Sequence, residues 1–328
     1  HNGVSKVQKA QMVTQEGNNV FVCGINGNFD DAQTGVKKIF SDKRVIGLLT
    51  ENGMEFSSAN SINIGRLSPQ VVYYFYAYKQ LVDSGEIKIG DKINFTVPTG
   101  NFGDILAGYY AKLLGLPIKK LICASNCNNV LFDFITSGTY DKNRYFEKTI
   151  SPSMDILLSS NLERFLYYVS DCDNDTVASL MNNVNGKGSY TITEKMQNDI
   201  EEILAAGWAD DNETKAVISR YFNDCGYLAD THTGVALKVA DEYRKNTGDS
   251  TKSVVLSTAS PFKFSASVYE SIFGKNDEDE FSIMQALSDK TGYGAPKQLS
   301  ELKNKEVRHK SIVDKEEMEA FVLNCLGI

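Results

Sequence analysis

The amino-acid sequence predicts an α/β fold, in which helices flank sheets of parallel strands. Short apolar runs alternate with longer segments whose apolar residues recur at helical spacing. A glycine-containing turn joins one of these runs to the helical segment that follows it. The chain has 328 residues, of which 42% are hydrophobic and 23% charged, so it can bury one large or two moderate cores. Alternating strands and helices favour a parallel sheet.

The strands are predicted at the short apolar runs, which occupy residues 19–25, 44–50, 92–97, 118–124 and 253–256. The helices are predicted where the spacing becomes helical, at residues 29–40, 67–82, 105–114, from about residue 262, and at 314–323. Residues 151–223 are richer in polar side chains and in helical spacing, which predicts a helical insertion rather than another unit of the sheet. The run Tyr73-Tyr74-Phe75-Tyr76 is assigned to the hydrophobic core.

Charge and cysteine content narrow the classes of function. A net charge of -8 and a pI near 5.1 argue against a nucleic-acid partner, which requires clustered Lys and Arg. Each apolar run is shorter than a membrane span requires, so no membrane partner is expected. Six cysteines scattered along the chain predict reduced thiols in the cytoplasm, and no set of ligands predicts a metal site. A small-molecule or protein partner is therefore expected.

The most informative stretch is residues 97–108, between a predicted strand and a predicted helix. Gly100 and Gly103 in such a turn let backbone amides converge on a phosphate, and the start of the helix adds a favourable dipole. The stretch is neither a Walker loop nor a dinucleotide-binding Gly-x-Gly-x-x-Gly motif. The alternative is a tight turn in which Asn101 or Asp104 caps the helix.

A second stretch, the serine–asparagine segment, comprises residues 57–66. It combines hydroxyl and amide side chains with the guanidinium of Arg66, and these groups suit a phosphorylated, zwitterionic ligand. The alternative is a polar strand end whose Ser and Asn residues cap the next helix.

Two further positions stand out. Thr258 follows the strand predicted at 253–256, at the carboxyl end where ligands bind in open α/β sheets. Ser260 and Pro261 are interpreted as the first positions of the next helix, which leaves Thr258 available. His232 is interpreted as a hydrogen-bonded structural residue rather than a catalyst.

Four segments, in this order, carry a resemblance to a known family: Ser58-Ala59-Asn60-Ser61-Ile62-Asn63 through Arg66, Gly100-Asn101-Phe102-Gly103-Asp104, residues 230–236, and Thr258. They resemble threonine synthase, a pyridoxal-phosphate (PLP) enzyme of fold type II with a tryptophan synthase β-like architecture. The resemblance runs along nearly the whole chain. It implies the cofactor pyridoxal 5'-phosphate and the conversion of O-phospho-L-homoserine and water to L-threonine and phosphate, the last step of threonine biosynthesis.

The resemblance also implies roles for individual residues. The phosphate of PLP would be held by Gly100, Asn101, Phe102, Gly103 and Asp104, and the pyridine nitrogen would be hydrogen-bonded by Thr258. The substrate O-phospho-L-homoserine would be contacted by Ser58, Asn60, Ser61, Asn63 and Arg66. Among these, Arg66 is the first choice for the substrate phosphate.

In domain terms, the resemblance implies that residues 1–57 are the C-terminal part of a small α/β domain. Residues 58–328 would form the large PLP-binding domain, with the helical insertion at about 151–223. The family's Schiff-base lysine precedes all four segments, and no lysine here has a matching context, so the catalytic residue is unknown. The chain is expected to be an inactive, N-terminally truncated fragment, and the missing segment of the same protein is a candidate partner.

Two alternatives remain open at this stage. The first is a threonine-synthase-like phospholyase, which would eliminate phosphate from a related phospho-amino compound without forming threonine. The second is a binding module that retains the fold and has discarded the chemistry.

Overall fold

The computed structural model describes residues 5–27, 29–60 and 62–328, and these form two compact units. The first unit contains the described residues before Ala59 together with Phe262–Tyr269 and Lys275–Ile328. The second unit contains Ala59–Pro261 and Glu270–Gly274. No helix in this described part of the chain has the length and apolar character needed to span a membrane.

The strands are β1 (Gly24–Asn26), β2 (Ile93–Pro98), β3 (Ile118–Ser125), β4 (Thr139–Asp141), β5 (Ser189–Thr191), β6 (Leu204–Trp208), β7 (Ser253–Val255) and β8 (Ile312–Asp314). The helices are α1 (Lys6–Val13), α2 (Phe29–Ser41), α3 (Lys43–Glu51), α4 (Ile64–Asp83), α5 (Gly103–Leu113), α6 (Val130–Ser137), α7 (Leu162–Val169), α8 (Asn174–Gly186), α9 (Glu194–Ile203), α10 (Asp211–Cys225), α11 (Thr231–Thr247), α12 (Ser265–Phe273), α13 (Glu280–Thr291), α14 (Lys297–Ser300) and α15 (Met318–Leu326).

The second unit is built on a four-stranded parallel sheet in the order β6-β3-β2-β7. Because all four strands run in the same direction, their carboxyl ends lie along one edge of the sheet. Phe95 and Leu121 are fully buried in the core beneath this sheet. Gly108 lets α5 approach closely, because a β-carbon there would lie 2.6 Å from the ring of Tyr74 and 2.8 Å from Leu121.

The first unit joins the two ends of the chain. Strand β1 pairs in parallel with β8, with Gly24 opposite Ile312. This pairing explains why the C-terminal residues cluster with the N-terminal ones rather than with the second unit. The predicted boundary after residue 57 lies close to the division after Ser58, but the prediction assigned all later residues to one domain. The identification of the two parts as small and large domains stays a prediction.

Residues 44–50 form helix α3, so the strand predicted there is wrong. Asp42 caps this helix, because its carboxylate accepts hydrogen bonds from the amides of Arg44 (2.8 Å) and Val45 (3.3 Å). Val45 and Leu49 are four residues apart and are both buried on one face. The apolar spacing therefore belongs to a helix.

The predicted helical insertion at 151–223 is wrong in part. It contains helices α7 to α10, but β6 is an edge strand of the parallel sheet and pairs with β3 at Ala206 and Cys123. Strand β5 also lies within it and pairs antiparallel with β4. The assignment of residues 73–76 to the core holds for Tyr74, which is 1% exposed, whereas Tyr73 and Tyr76 are each 62% exposed.

The central position of β3 gives a test of this packing. Leu121→Ala, at a fully buried position, is expected to lower the free energy of unfolding by about 2–5 kcal/mol, because it removes buried methyl groups and leaves a cavity. Leu114→Ala is the matched control, because Leu114 is 70% exposed and its loss should cost no more than about 0.5 kcal/mol. Urea denaturation measures both, and equal effects would contradict the described core.

Candidate functional site

The glycine loop, defined here as residues 99–104, leaves β2 at the carboxyl edge of the parallel sheet. Its first residue is anchored to the sheet, because the amide of Thr99 donates to the carbonyl oxygen of Ala124 at 2.8 Å. The hydroxyl of Thr99 donates to the carbonyl oxygen of Val97 at 2.7 Å. The loop then leads directly into α5, so the predicted arrangement of strand, glycine turn and helix is confirmed.

Phe102 is the residue from which α5 starts, and its backbone is left-handed, with φ of 61°. This conformation is uncommon for a residue other than glycine and has to be held by its surroundings. Its ring is buried and packs against Phe165, with 5.6 Å between the ring centroids. Phe102 forms no side-chain capping bond, so it leaves the amides in the first turn of α5 without a cap. Such a helix start attracts an anion.

Gly100 lies against the backbone of a second segment. A β-carbon at Gly100 would be 2.7 Å from the carbonyl oxygen of Ser153 and 3.2 Å from Cα of Met154. Because both neighbours are backbone atoms, they cannot move aside as a flexible side chain could. Only glycine therefore fits at this position of the loop.

Buried side chains hold Ser153 in turn. Its amide donates to Nε2 of His232 at 3.2 Å, and Nδ1 of His232 lies 3.0 Å from Oδ1 of Asp230. Because Nε2 accepts a hydrogen bond, the proton of the neutral imidazole is placed on Nδ1, which donates to the carboxylate. Burial raises the pKa of Asp230, but hydrogen bonds from His232 and Thr233 outweigh it and lower that pKa overall. These contacts agree with the structural interpretation of His232.

Residues 159–161 fix the carbonyl side of the glycine loop. The hydroxyl of Ser159 donates to the carbonyl oxygen of Gly100 at 2.9 Å, and Nδ2 of Asn161 donates to that of Asn101 at 2.9 Å. Ser160 donates to Oδ1 of Asn101 at 3.3 Å. These residues were not predicted as part of the site, because they lie within the segment interpreted as a helical insertion. The available signal was the polar run Ser159-Ser160-Asn161 immediately before α7.

Asp104 lies in the first turn of α5 and is partly buried. The hydroxyl of Tyr74 donates to the carbonyl oxygen of Asp104 at 2.8 Å and lies 3.4 Å from its Oδ1. Loss of contact with water raises the pKa of the Asp104 carboxyl to about 6, although the bond from Tyr74 acts in the opposite direction. The alternative, in which Asn101 or Asp104 caps the helix, is wrong, because the N-cap residue of α5 is Phe102 and it forms no side-chain capping bond.

The serine–asparagine segment shows the helix-capping contact that the alternative predicted. Oδ1 of Asn63 caps α4 by accepting from the amide of Gly65 at 2.8 Å, and Oδ1 of Asn60 accepts from the amide of Ile62 at 2.9 Å. Arg66 is exposed, and its Nη1 donates to the carbonyl oxygen of Ala59 at 2.7 Å. Each of these three candidate side chains forms its contact within residues 59–66.

The other candidates are placed separately. Ser61 lies outside the described residues, and Ser58 is in the first unit. Thr258 is exposed and follows β7, whose Val255 pairs with Thr96 of β2. It therefore leaves the sheet at the same edge as the glycine loop. The ligand-binding roles of all these residues stay predictions.

Comparison with known proteins gives a consistent result. The family model "Threonine synthase, C-terminal" matches residues 233–322. Over 273 residues the chain is 42% identical to threonine synthase-like 1 of Homo sapiens, and over 275 residues it is 37% identical to threonine synthase of Pseudomonas aeruginosa. The structure of PLP-bound threonine synthase from Brucella melitensis superposes with a TM-score of 0.82 at 36% identity, so the predicted fold class is confirmed.

The matched lengths differ between this chain and its relatives. The human and Pseudomonas alignments cover 83% and 84% of this chain, but only 36% and 56% of those proteins. The structural superposition covers 98% of this chain and 63% of the Brucella enzyme.

The close packing of Gly100 can be tested directly. Gly100→Ala is expected to weaken the binding of inorganic phosphate about tenfold or more, because the added methyl group displaces the loop from Ser153. Gly186→Ala is the matched control, since a β-carbon there meets no described atom within 4 Å. Phosphate titration followed by NMR measures both variants. Unchanged binding in Gly100→Ala would show that the loop does not hold the anion.

The raised pKa of Asp104 predicts a dependence of stability on pH. Between its ordinary value of 3.8 and about 6 the folded chain keeps a proton that the unfolded chain has lost, so stability falls as the pH rises through this window. Asp104→Asn, which is always neutral, should therefore raise the free energy of unfolding by about 1–2 kcal/mol near pH 8 and change it little near pH 4.

The matched control for this prediction is Asp175→Asn, because Asp175 is an exposed aspartate in the first turn of α8. Urea denaturation at both pH values measures the two variants. A gain in Asp104→Asn that is the same at both pH values would contradict the prediction.

Proposed function

Since the chain belongs to the family of threonine synthases and threonine synthase-like proteins, we propose that it forms the cofactor-binding part of a PLP-dependent lyase. The observation that carries this proposal is the glycine loop. In this loop helix α5 starts without a side-chain cap, Phe102 has a left-handed backbone and Gly100 is tightly packed. These features suit a doubly charged phosphate at the carboxyl edge of a parallel sheet.

The residues present fit PLP in two places. Residues 100–104 would hold its phosphate through backbone N–H groups, which act as donors without carrying a charge of their own. The exposed hydroxyl of Thr258 would meet the pyridine nitrogen. When bound, PLP supplies an electron sink for carbanion chemistry next to an amino group. A neutral hydroxyl at the nitrogen does not force the ring to stay protonated, and so it adjusts the strength of that sink.

The proposed substrate is O-phospho-L-homoserine, which would react with water to give L-threonine and phosphate. A phosphorylated amino acid requires an anion site separate from the one that holds the cofactor. Arg66 suits this second site, because a guanidinium pairs bidentately with phosphate and its contact with Ala59 already orients it. Ser58, Asn60, Ser61 and Asn63 would supply the neutral hydrogen-bonding groups around it.

A second candidate is a threonine synthase-like phospholyase that releases phosphate without forming threonine. The chain is 42% identical to human threonine synthase-like 1 and 37% identical to the Pseudomonas threonine synthase, and this difference favours the second candidate.

The Schiff-base lysine of the family is assigned to no residue of this chain. We therefore expect cofactor binding, but no turnover, from this chain alone.

The proposal is tested by titrating the chain with PLP and, separately, with pyridoxal, which lacks the phosphate. PLP is expected to bind about tenfold more tightly or better, because the glycine loop recognises the phosphate. Gly100→Ala should remove this preference, whereas Gly186→Ala should keep it. Equal affinities for PLP and pyridoxal in the unmodified chain would sink the proposal.

The reaction is tested on the complete protein with O-phospho-L-homoserine. Threonine and phosphate in equal amounts would identify a threonine synthase. Phosphate without threonine would identify a phospholyase, and binding of PLP with neither product would favour the binding module.

A further inference from the structure

Arg164, in the first turn of α7, links Ile62 of the serine–asparagine segment to the glycine loop by way of Asn161. Its Nη1 donates to Oδ1 of Asn161 at 2.7 Å, and its Nη2 donates to the carbonyl oxygen of Ile62 at 2.6 Å. Ile62 lies in the serine–asparagine segment, between Asn60 and Asn63. The proposed function gives Arg164 no role.

Asn161 extends this connection to the glycine loop. It is completely buried, and both its backbone amide (3.1 Å) and its Nδ2 (2.9 Å) donate to the carbonyl oxygen of Asn101. Hydrogen bonds therefore run without interruption from Asn101 through Asn161 and Arg164 to Ile62. Arg164 lies 102 positions from Ile62 in the sequence, and Asn161 lies 60 positions from Asn101. These contacts are therefore long-range.

Arg164 and the carbonyl oxygen of Asn101 together fix which way the amide of Asn161 points. Because Oδ1 accepts from the guanidinium, Nδ2 is the atom that faces the carbonyl oxygen of Asn101. Without the guanidinium, Oδ1 would lose its charge-assisted hydrogen bond, and the amide would be held less firmly. The planar fork of Arg serves two acceptors at once, which the single ammonium group of Lys cannot do in the same geometry.

We propose that Arg164 is a positioning residue that couples the serine–asparagine segment to the glycine loop, so that an anion bound in the loop orders the segment that receives the substrate. This inference rests on the proposed function, since the ligand of the loop is the phosphate of PLP. Arg164 contacts the serine–asparagine segment directly at Ile62 and reaches the glycine loop only through Asn161. Its loss therefore affects substrate binding more than cofactor binding.

The test compares Arg164→Lys with Arg220→Lys. The first variant keeps the charge and loses the two-acceptor bridge. The second is the matched control, because Arg220 forms a surface ion pair with Asp241 in the same unit. Three quantities are measured in each variant: the affinity for PLP, the amide hydrogen exchange of residues 62–67 with and without PLP, and the midpoint of urea denaturation.

In the unmodified chain and in Arg220→Lys, PLP is expected to slow exchange in residues 62–67. In Arg164→Lys, PLP should bind within about threefold of the unmodified affinity, while the slowing of exchange is lost. In the complete protein, the same variant should raise KM for O-phospho-L-homoserine about tenfold with a smaller change in kcat. A merely structural role would lower PLP affinity, exchange protection and the denaturation midpoint together, and that result would overturn the inference.

Failure of this inference and failure of the proposed function give different results. If PLP binds and residues 62–67 are not protected, the coupling is wrong and the function stands. If PLP does not bind, the proposed function is wrong, and the same exchange experiment with inorganic phosphate decides the coupling. An unmodified chain that neither PLP nor phosphate protects at residues 62–67 would overturn the coupling in either case.

Discussion

The contact between Gly100 and the backbone of Ser153 is the constraint on which the candidate site depends. A side chain at Gly100 would collide with backbone atoms, so the glycine loop and the segment around Ser153 take their positions together. His232 and Asp230 hold that segment from one side, and Ser159 holds the carbonyl oxygen of Gly100 from the other. These protein contacts shape the loop. A site formed in advance spends less binding energy on ordering itself.

The pKa values of two carboxyl groups near this loop, those of Asp230 and Asp104, shift in opposite directions because their surroundings differ. Asp230 receives several hydrogen bonds, which favour the ionised form and lower its pKa. Asp104 is withdrawn from water with one donor nearby, and its pKa is raised to about 6. The ionised group serves to orient an imidazole, whereas the other lies in the first turn of α5, where a bound anion would disfavour a second negative charge. Protonation of Asp104 and occupation of the loop by an anion should therefore favour each other.

Local patterns in the sequence predicted the part of the fold on which the glycine loop is built. The strand β2, the helix α5 and the turn between them each have their own periodicity, and that information lies within a few neighbouring residues. Strand β6 was missed because Ala205, Ala206 and Gly207 have little preference for strands, and pairing with β3 decides their conformation. Ser159 and Asn161 were missed because they contact the loop 59 and 60 residues away. A local polar run can mark such residues, but it does not encode which distant residue they contact.

In the proposed function the backbone binds the cofactor phosphate and side chains select the substrate. The fold therefore does not by itself determine which reaction is catalysed. The cofactor phosphate would be held by backbone N–H groups, and the sequence needs only glycines and good packing to present them. Selection of the substrate would depend on side chains such as Arg66, in a segment joined to the loop through Arg164. Two relatives can therefore share the glycine loop and differ in the compound they convert. If the serine–asparagine segment binds the substrate as proposed, changes in it would redirect the chemistry.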